Sequence, residues 1–415
     1  MKILLINPPV FNDKGYCVSY SPPLGLLYLA AFLEKNGYPN IEVLDADLAG
    51  LTWEKLKNLF INEKPDIIGV GGTVMLMPAL MRTIEVARQI LPNSFIVAGG
   101  WGPSKEPEKV LRAYNKAVDC VVIGEGEMTL LELVRRIENK KRDFNDIDGL
   151  AFLDQDDKVA FTKSREVIMD LNTLPWPAWH LLKPDFSKYR GMHGQFEGMS
   201  RPVVTMFSAR GCPHRCTFCS LGSKIWRYRN TKDVVDEMDF YRTKFGARSI
   251  QIYDDEFIGM SPMQNERVKG FCDEIIRRGL HKKLAFLVQG RCSQFINLDV
   301  LKKMREANFI WILWGVESGS QKVLDFIKKD IKIENVYRAF DLTKQVGIKS
   351  LMFIMVGFPK ETPEDVKLTA NLIEKIKPDQ VRIHITTPHP GSELRKYMEE
   401  HNLIDVYDYY KADHR

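Results

Sequence analysis

Twice along its 415 residues the chain repeats one pattern: a short, almost wholly apolar run followed by a longer stretch with helical spacing. The first series is KILLIN, IEVLDAD, DIIGVGG, FIVAGG and CVVIGEGE, with segments such as LGLLYLAAFLEKNG and EVARQIL between. The second is VVTMFSARG, SIQIYDDEF, LAFLVQGR, WILWGVESG, LMFIMVGFP and QVRIHITTP, with VVDEMDFYRTKFG and NLIEKI between. Runs that are apolar throughout belong to strands buried on both faces, which is the state of a parallel sheet covered by helices. The fold class is therefore α/β. The length exceeds what one hydrophobic core usually fills, so two domains are expected.

Residues 1–147 read as a doubly wound, Rossmann-like domain, with Asn36-Gly37 stopping its first helix and Pro78 opening a later one after Met77. Residues 148–164, GLAFLDQDDKVAFTKSR, have the two β-type runs and polar turn of a hairpin. DLNTLPWPAWHLL carries two prolines and is an extended connector, so 148–200 is a linker region. Six strand-and-helix repeats over 201–395 predict a partial (βα)6 barrel, and 396–415 form a short tail.

Composition removes several classes. No apolar run approaches the roughly 18 to 20 residues that cross a bilayer, so no membrane span is expected. A formal charge of +5 is small for this length and its lysines are interspersed with acids, which describes a solvated surface and not a nucleic-acid stripe. The opening MKILLINPP has no charged start, apolar stretch and small-residue cleavage site, so a reducing, cytoplasmic interior is expected and disulfides are not.

That matters for Cys212, Cys216 and Cys219, which lie four and three residues apart just after an apolar run. Thiolates select iron–sulfur clusters or zinc, and three of them leave a four-site cluster with an open corner. Structural zinc is usually closed by two close pairs of ligands. No second pair exists: Cys17, Cys120, Cys272 and Cys292 are scattered and read as small buried residues. His214, inside the loop, is either a fourth ligand or a solvated histidine.

In the first half, glycines gather where strands end: Gly71, Gly72 and Thr73, then Gly99 and Gly100, then Gly124, Glu125 and Gly126. Open α/β sheets bind ligands there, and a glycine lets a ligand reach the backbone, although each also serves a tight turn. No G-x-G-x-x-G opens a helix after the first strand, which argues against a nicotinamide or flavin dinucleotide.

The spacing Cys-x3-Cys-x2-Cys with Phe218 before the last cysteine resembles the signature loop of the radical S-adenosylmethionine superfamily. The first half resembles the cobalamin-binding domain that precedes it in one branch. The matching pieces are LLINPP, Pro22, Pro23, Leu24 and Gly25 ahead of the first helix, AGGWGPS, and DCVVIGEGEMTLLEL. Together the two resemblances cover nearly all of the chain through residue 395. They imply three cofactors: a 4Fe-4S cluster on the cysteines, S-adenosylmethionine chelating the open iron, and cobalamin. The implied chemistry is reductive cleavage to a 5′-deoxyadenosyl radical, with methylcobalamin supplying a methyl group to an unactivated carbon between the two domains.

The resemblance also assigns roles. Asp254, Asp255 or Glu256 would hold the methionyl amine, the alternative being a polar cap on the next helix; at the third strand end, Gln289 and Arg291 would face the cofactor, the arginine offering a planar donor fork suited to a carboxylate. Glu317 and Ser318 would take ribose hydroxyls or satisfy one another, Gly357 would let adenine lie flat, and Thr386 to Gly391 form the closing turn. There is no histidine before His180, so the lower cobalt ligand is not a histidine of this domain and the nucleotide tail should lie detached among the glycine turns. Met75 and Met77 would sit under the corrin or in the core, and Tyr16, Tyr20, Trp101, Tyr189, His384 and His389 would face substrate or pack.

A flavodoxin or ferredoxin is the implied electron donor. The short tail EEHNLIDVYDYYKADHR leads to the expectation of a peptide or protein substrate, as in the archaeal enzymes that C-methylate methyl-coenzyme M reductase. Two other readings stay open: a cyclase or rearrangement enzyme using the same domains, and a non-catalytic cobalamin or cluster carrier. A methylthiotransferase fits poorly, because the leading domain offers only Cys17 and Cys120 for a further cluster.

Overall fold

The computed structural model describes residues 1–10, 21–113, 116–189 and 196–404, so Tyr16, Cys17 and Tyr20 lie outside the described residues. The chain forms two compact units, the first from residues 1–169 and 173–189, the second from residues 170–172 and 190–405.

In the first unit the elements run β1 (Ile3–Asn7), α1 (Leu24–Lys35), β2 (Ile41–Asp45), α2 (Trp53–Glu63), β3 (Ile67–Gly71), α3 (Met77–Ile90), β4 (Phe95–Gly99), α4 (Trp101–Lys105), α5 (Pro107–Arg112), β5 (Cys120–Val122), α6 (Glu127–Glu138), β6 (Leu150–Leu153), β7 (Val159–Phe161) and β8 (Leu182–Lys183). They make one sheet in the order β7-β6-β5-β4-β3-β1-β2-β8. Ile3, Leu4, Leu5 and Ile6 are all essentially without solvent contact, which explains why the strand reads as a continuous apolar run. Burying each such side chain stabilises the fold by about 1.5–3 kcal/mol.

β1 pairs in parallel with β2 on one side and β3 on the other, so the strand order reverses there and leaves a crevice at the carboxyl ends of β1 and β3. The hairpin at 148–164 is β6–β7, and it continues this sheet antiparallel to β5. The proline-rich connector contributes β8, which pairs with β2 at the other edge.

In the second unit the order is β9 (Val203–Met206), β10 (Ala209–Arg210), β11 (Arg227–Tyr228), α7 (Thr231–Phe245), β12 (Ser249–Ile252), α8 (Pro262–Arg277), β13 (Ala285–Arg291), α9 (Leu298–Glu306), β14 (Phe309–Glu317), α10 (Gln321–Phe326), α11 (Ile333–Gln345), β15 (Lys349–Val356), α12 (Pro363–Ile376), β16 (Gln380–Ile385) and α13 (Glu393–Glu400). Six parallel strands, β9-β12-β13-β14-β15-β16, follow one another in chain order, as a partial barrel requires. Near their amino ends Phe196 and Met199 pack against Val203, Ala285, Leu287, Trp311, Leu313 and Leu351. That apolar plug fills one mouth and leaves the polar strand ends at the other.

Among the described residues no helix is long and apolar enough to cross a membrane.

Candidate active site

The cysteine loop leaves β9 through a turn that only glycine can make. Gly211 has φ +87°, and a Cβ there would stand 2.2 Å from the Ile225 carbonyl oxygen. Beyond it the backbone is pinned repeatedly. Cys212 N–H donates to Ser223 O at 3.2 Å, Thr217 N–H to Ile327 O at 2.9 Å, Cys219 N–H to Cys216 O at 3.1 Å, and Leu394 N–H to Thr217 O at 2.8 Å. The ends of α10 and α13 thus hold the middle of the loop.

Three consecutive acids after β12 are sorted by this loop. Asp254, fully buried, accepts from Ser208 N–H at 2.6 Å, Ala209 N–H at 2.9 Å and the Ser208 hydroxyl. Burial pushes its carboxyl up, opposed by the Arg267 guanidinium and these donors. Asp255 accepts from Gly211 N–H at 3.0 Å. Glu256, also buried, lies 3.8 Å from Cys212 Sγ and 3.0 Å from His214 Nε2, while its Oε1 has no hydrogen-bond partner. His214 is accordingly not a solvated loop residue: it sits half-buried against an acid.

The third and fourth strands add cations. Arg291, at the end of β13, places Nη1 3.9 Å from Cys216 Sγ and buries Nη2 with no partner. Its neighbour Gln289 is half-buried, its carbonyl accepting from Phe257 N–H at 3.1 Å. Glu317 closes β14 with φ +73°, an unusual backbone state for a residue with a side chain, beside a register shift in the ladder. Its carboxylate meets Lys329 Nζ at 2.7 Å, both buried, and Lys329 lies 5.8 Å from the Phe218 ring centre. Burial lowers the Lys329 pKa, but Glu317 and Cys216 outweigh it and hold this ammonium above the ordinary lysine value.

Lys329 is the residue that sequence reasoning missed. In IKKD it looks like one of two solvated lysines, and nothing local marks it.

Glu317 and Ser318 do not satisfy one another. Ser318 turns inward, its hydroxyl accepting from Ser320 N–H at 3.1 Å and meeting Thr369 Oγ1 at 3.3 Å. Phe218 packs on Phe358 at 6.1 Å, tying the loop to the end of β15, where a Cβ on Gly357 would meet nothing within 4 Å. At the sixth strand end Thr386 and half-buried His389 join the turn, and His384 lies exposed on β16 with its ring 5.9 Å from Phe353.

These donors fit an iron–sulfur cluster. Burial first, then Glu256, pushes the Cys212 thiol up to about 12, and burial also raises Cys219; a cation of high charge is what reverses this. Among the buried groups without a partner beside the thiols are, besides the Thr217 hydroxyl, a carboxylate acceptor, Glu256 Oε1, and a guanidinium donor, Arg291 Nη2. That pair matches the amine and carboxylate of an amino-acid zwitterion.

In the first unit the glycines divide. A Cβ on Gly100 would lie 2.9 Å from Gly72 O, and those on Gly71, Gly72 and Gly126 would press on Leu26, Leu76 and Leu29, so these serve packing between strand-end turns; Gly99 has only van der Waals contact with Val122. Gly25 and Gly124 face open space. Thr73 leads into the turn bearing Met75, which is 70% exposed where β3 ends, whereas Met77 is 1% exposed and packs in the core. Pro22 O accepts from Leu24 N–H at 2.8 Å, setting up α1; Glu125 accepts from Ile168 N–H at 3.2 Å. Tyr189 is buried, donating to Asp45 at 2.6 Å, and Trp101 remains partly exposed. Gly25, at the start of α1, and Gly124, just after β5, leave backbone uncovered, which suits a broad planar ligand that approaches backbone.

A partial parallel barrel with a three-thiol loop, joined to a doubly wound unit with open glycine turns, defines the class of iron–sulfur enzymes with a second ligand-binding domain. The Radical SAM superfamily model matches residues 206–373 and the B12 binding domain model residues 17–134. An uncharacterized methyltransferase of Pyrococcus horikoshii is 30% identical over 408 residues, 97% of this chain and 84% of that protein. The anaerobic magnesium-protoporphyrin IX monomethyl ester cyclase of Rubrivivax gelatinosus is 28% identical over 99% of this chain and 72% of its own length. The fold is similar to the radical S-adenosylmethionine methyltransferase TsrM from Kitasatospora setae, at TM-score 0.78 and 19% identity, covering 97% of this chain and 78% of that one. The chain belongs to the cobalamin-dependent radical S-adenosylmethionine enzymes, and its cofactors are a 4Fe-4S cluster, S-adenosylmethionine and cobalamin.

Proposed function

We propose that this enzyme methylates an unactivated carbon of a peptide or protein side chain. The observation that carries the site assignment is the pair of unpartnered buried groups beside the thiols, Glu256 Oε1 and Arg291 Nη2. When bound, the cluster and S-adenosylmethionine supply one-electron cleavage of the sulfonium, and cobalamin supplies the methyl carrier. The chain's own part is to orient. Cys212, Cys216 and Cys219 hold iron, Glu256 takes the methionyl amine, Arg291 its carboxylate, Glu317 the ribose, and the open face of Gly357 the adenine. Gly25, Gly124 and the turn from Thr73 to Met75 take the corrin.

The polypeptide substrate is supported by β16. Among the described residues this edge strand pairs only with β15, and Ile383 and Ile385 on it are 61% and 81% exposed, a surface on which an extended peptide can pair as a further strand. A flavodoxin or ferredoxin in a reducing cytoplasm is the proposed electron source. The cyclase of Rubrivivax gelatinosus favours a second reading, ring formation without methyl transfer.

The test is anaerobic reconstitution with iron, sulfide and hydroxocobalamin, followed by turnover with a one-electron donor and candidate peptides. Equal yields of 5′-deoxyadenosine and S-adenosylhomocysteine, with a peptide product heavier by one methyl group, support methylation. Deoxyadenosine without S-adenosylhomocysteine supports the cyclase reading and sinks the first.

A further inference from the structure

The buried ion pair of Lys329 and Glu317 calls for its own explanation. Taking two charges out of water is unfavourable unless geometry compensates, and such pairs are poor stabilisers in themselves. This one is built with care. Gly315 leaves the room for it, since a Cβ there would lie 3.0 Å from both Glu317 Oε1 and Lys329 Nζ. Glu317 accepts a left-handed backbone to reach it. Lys329 stands two residues after Ile327, whose carbonyl takes the Thr217 amide, so the lysine is carried on the segment that braces the cysteine loop.

Toward Cys216 stand two buried cations, Arg291 and Lys329, and the buried anion Glu317 that pairs with Lys329. Cluster potentials depend on net local charge and burial, and buried charges act strongly across a few ångströms. We infer that Lys329 is a positioning residue which fixes the charge beside Cys216 and makes the cluster easier to reduce. Reduction adds one electron, delivered by the external donor, and hence one negative charge beside Cys216. Lys329 offsets that charge, while Glu317 opposes it. The inference rests on the cysteine loop holding the cluster.

The experiment is an EPR-monitored redox titration of the reconstituted full chain at pH 8 without S-adenosylmethionine, comparing wild type, Lys329→Met, Lys329→Arg, Glu317→Gln and the double variant Glu317→Gln/Lys329→Met. Lys329→Met should lower the equilibrium constant for one-electron reduction about tenfold, a midpoint about 59 mV more negative. Glu317→Gln should move it about as far the other way, the double variant should fall between, and Lys329→Arg should stay close to wild type. A merely structural lysine gives no such opposition of sign. Failure of Lys329→Met to lower the midpoint, or of Glu317→Gln to raise it, overturns the inference. Where Lys329→Met does not fold, the Glu317→Gln shift and the Lys329→Arg rescue decide alone. A wild type with no EPR-active cluster would overturn the loop assignment as well, whereas a normal signal with unshifted midpoints counts against Lys329 alone.

Discussion

Replacing Asp254 with asparagine should loosen the cysteine loop while sparing its ligands. The carboxylate accepts two backbone amides and one hydroxyl, all from Ser208 and Ala209, and faces half-buried Arg267, whose Nε and Nη1 are buried with no hydrogen-bond partner. In Asp254→Asn one oxygen still serves the amides, but these bonds become neutral and lose about 1 kcal/mol each. The new amide nitrogen must donate to Ser208 Oγ, which already accepts from Arg267 Nη2 at 2.9 Å, so the serine proton is left without an acceptor. The arginine, its Nε and Nη1 already buried and unpartnered, loses the charge of Asp254 that offsets its desolvation. Together these cost about 3 kcal/mol or somewhat more, roughly 150-fold in the population of the ordered segment. Urea unfolding of the second unit, followed by tryptophan fluorescence, should shift by about 1.5 M for a slope near 2 kcal/mol per M. Iron retained after desalting should fall with it. A variant whose midpoint moves less than about 0.3 M and which keeps its full iron would show that Asp254 does not brace the loop.

Two further outcomes follow from single contacts. Gly124→Ala adds a Cβ that meets no protein atom, at φ +82°, so the chain should fold with a penalty of about 1 kcal/mol and lose cobalamin affinity, read from the visible absorbance after gel filtration. Gly100→Ala, pressed against Gly72 O, should instead lower the melting temperature of the first unit; equal behaviour of the two variants would refute the division between ligand-facing and packing glycines. Asp365 accepts from Ser320 Oγ, Lys322 Nζ and Thr362, which holds its carboxyl well below the usual range. A depressed carboxylate stabilises above the unfolded value, about 3.9, and that contribution is lost as pH falls through the folded value. Asp365→Asn should therefore melt below wild type at pH 7, with a gap that narrows as the pH is taken below 4; a constant gap would refute the assignment.

The fold was legible because parallel strands buried on both faces leave continuous apolar runs, and all eleven such runs are strands. β8 escaped because two residues at a sheet edge carry no periodicity. The strand-end rule pointed to Asp254, Arg291 and Glu317, and the structure places them at or just after strand ends beside the cysteine loop. Their division of labour was invisible. Three adjacent acids look interchangeable in sequence, and only the path of residues 208–214 decides which amides each one meets. Likewise Met75 and Met77 read alike, yet one stands exposed at the end of β3 and the other fills the core. Tyr189 lies in what reads as a linker, and its partner Asp45 is 144 residues away.

The acids and the cations around the thiols do different work, and this explains why both are buried there. Asp254 and Asp255 take backbone amides of the segment leading into the loop, so their charge is answered locally and serves geometry. Arg291 and Lys329 have no such amide partners; one keeps an unpartnered donor and the other a single carboxylate, so their charge remains available to whatever occupies the cavity. Loss of an acid should therefore appear as lost iron and lost stability. Loss of a cation should appear as altered potential or altered S-adenosylmethionine affinity in a protein that still binds iron, because the loop's braces are untouched.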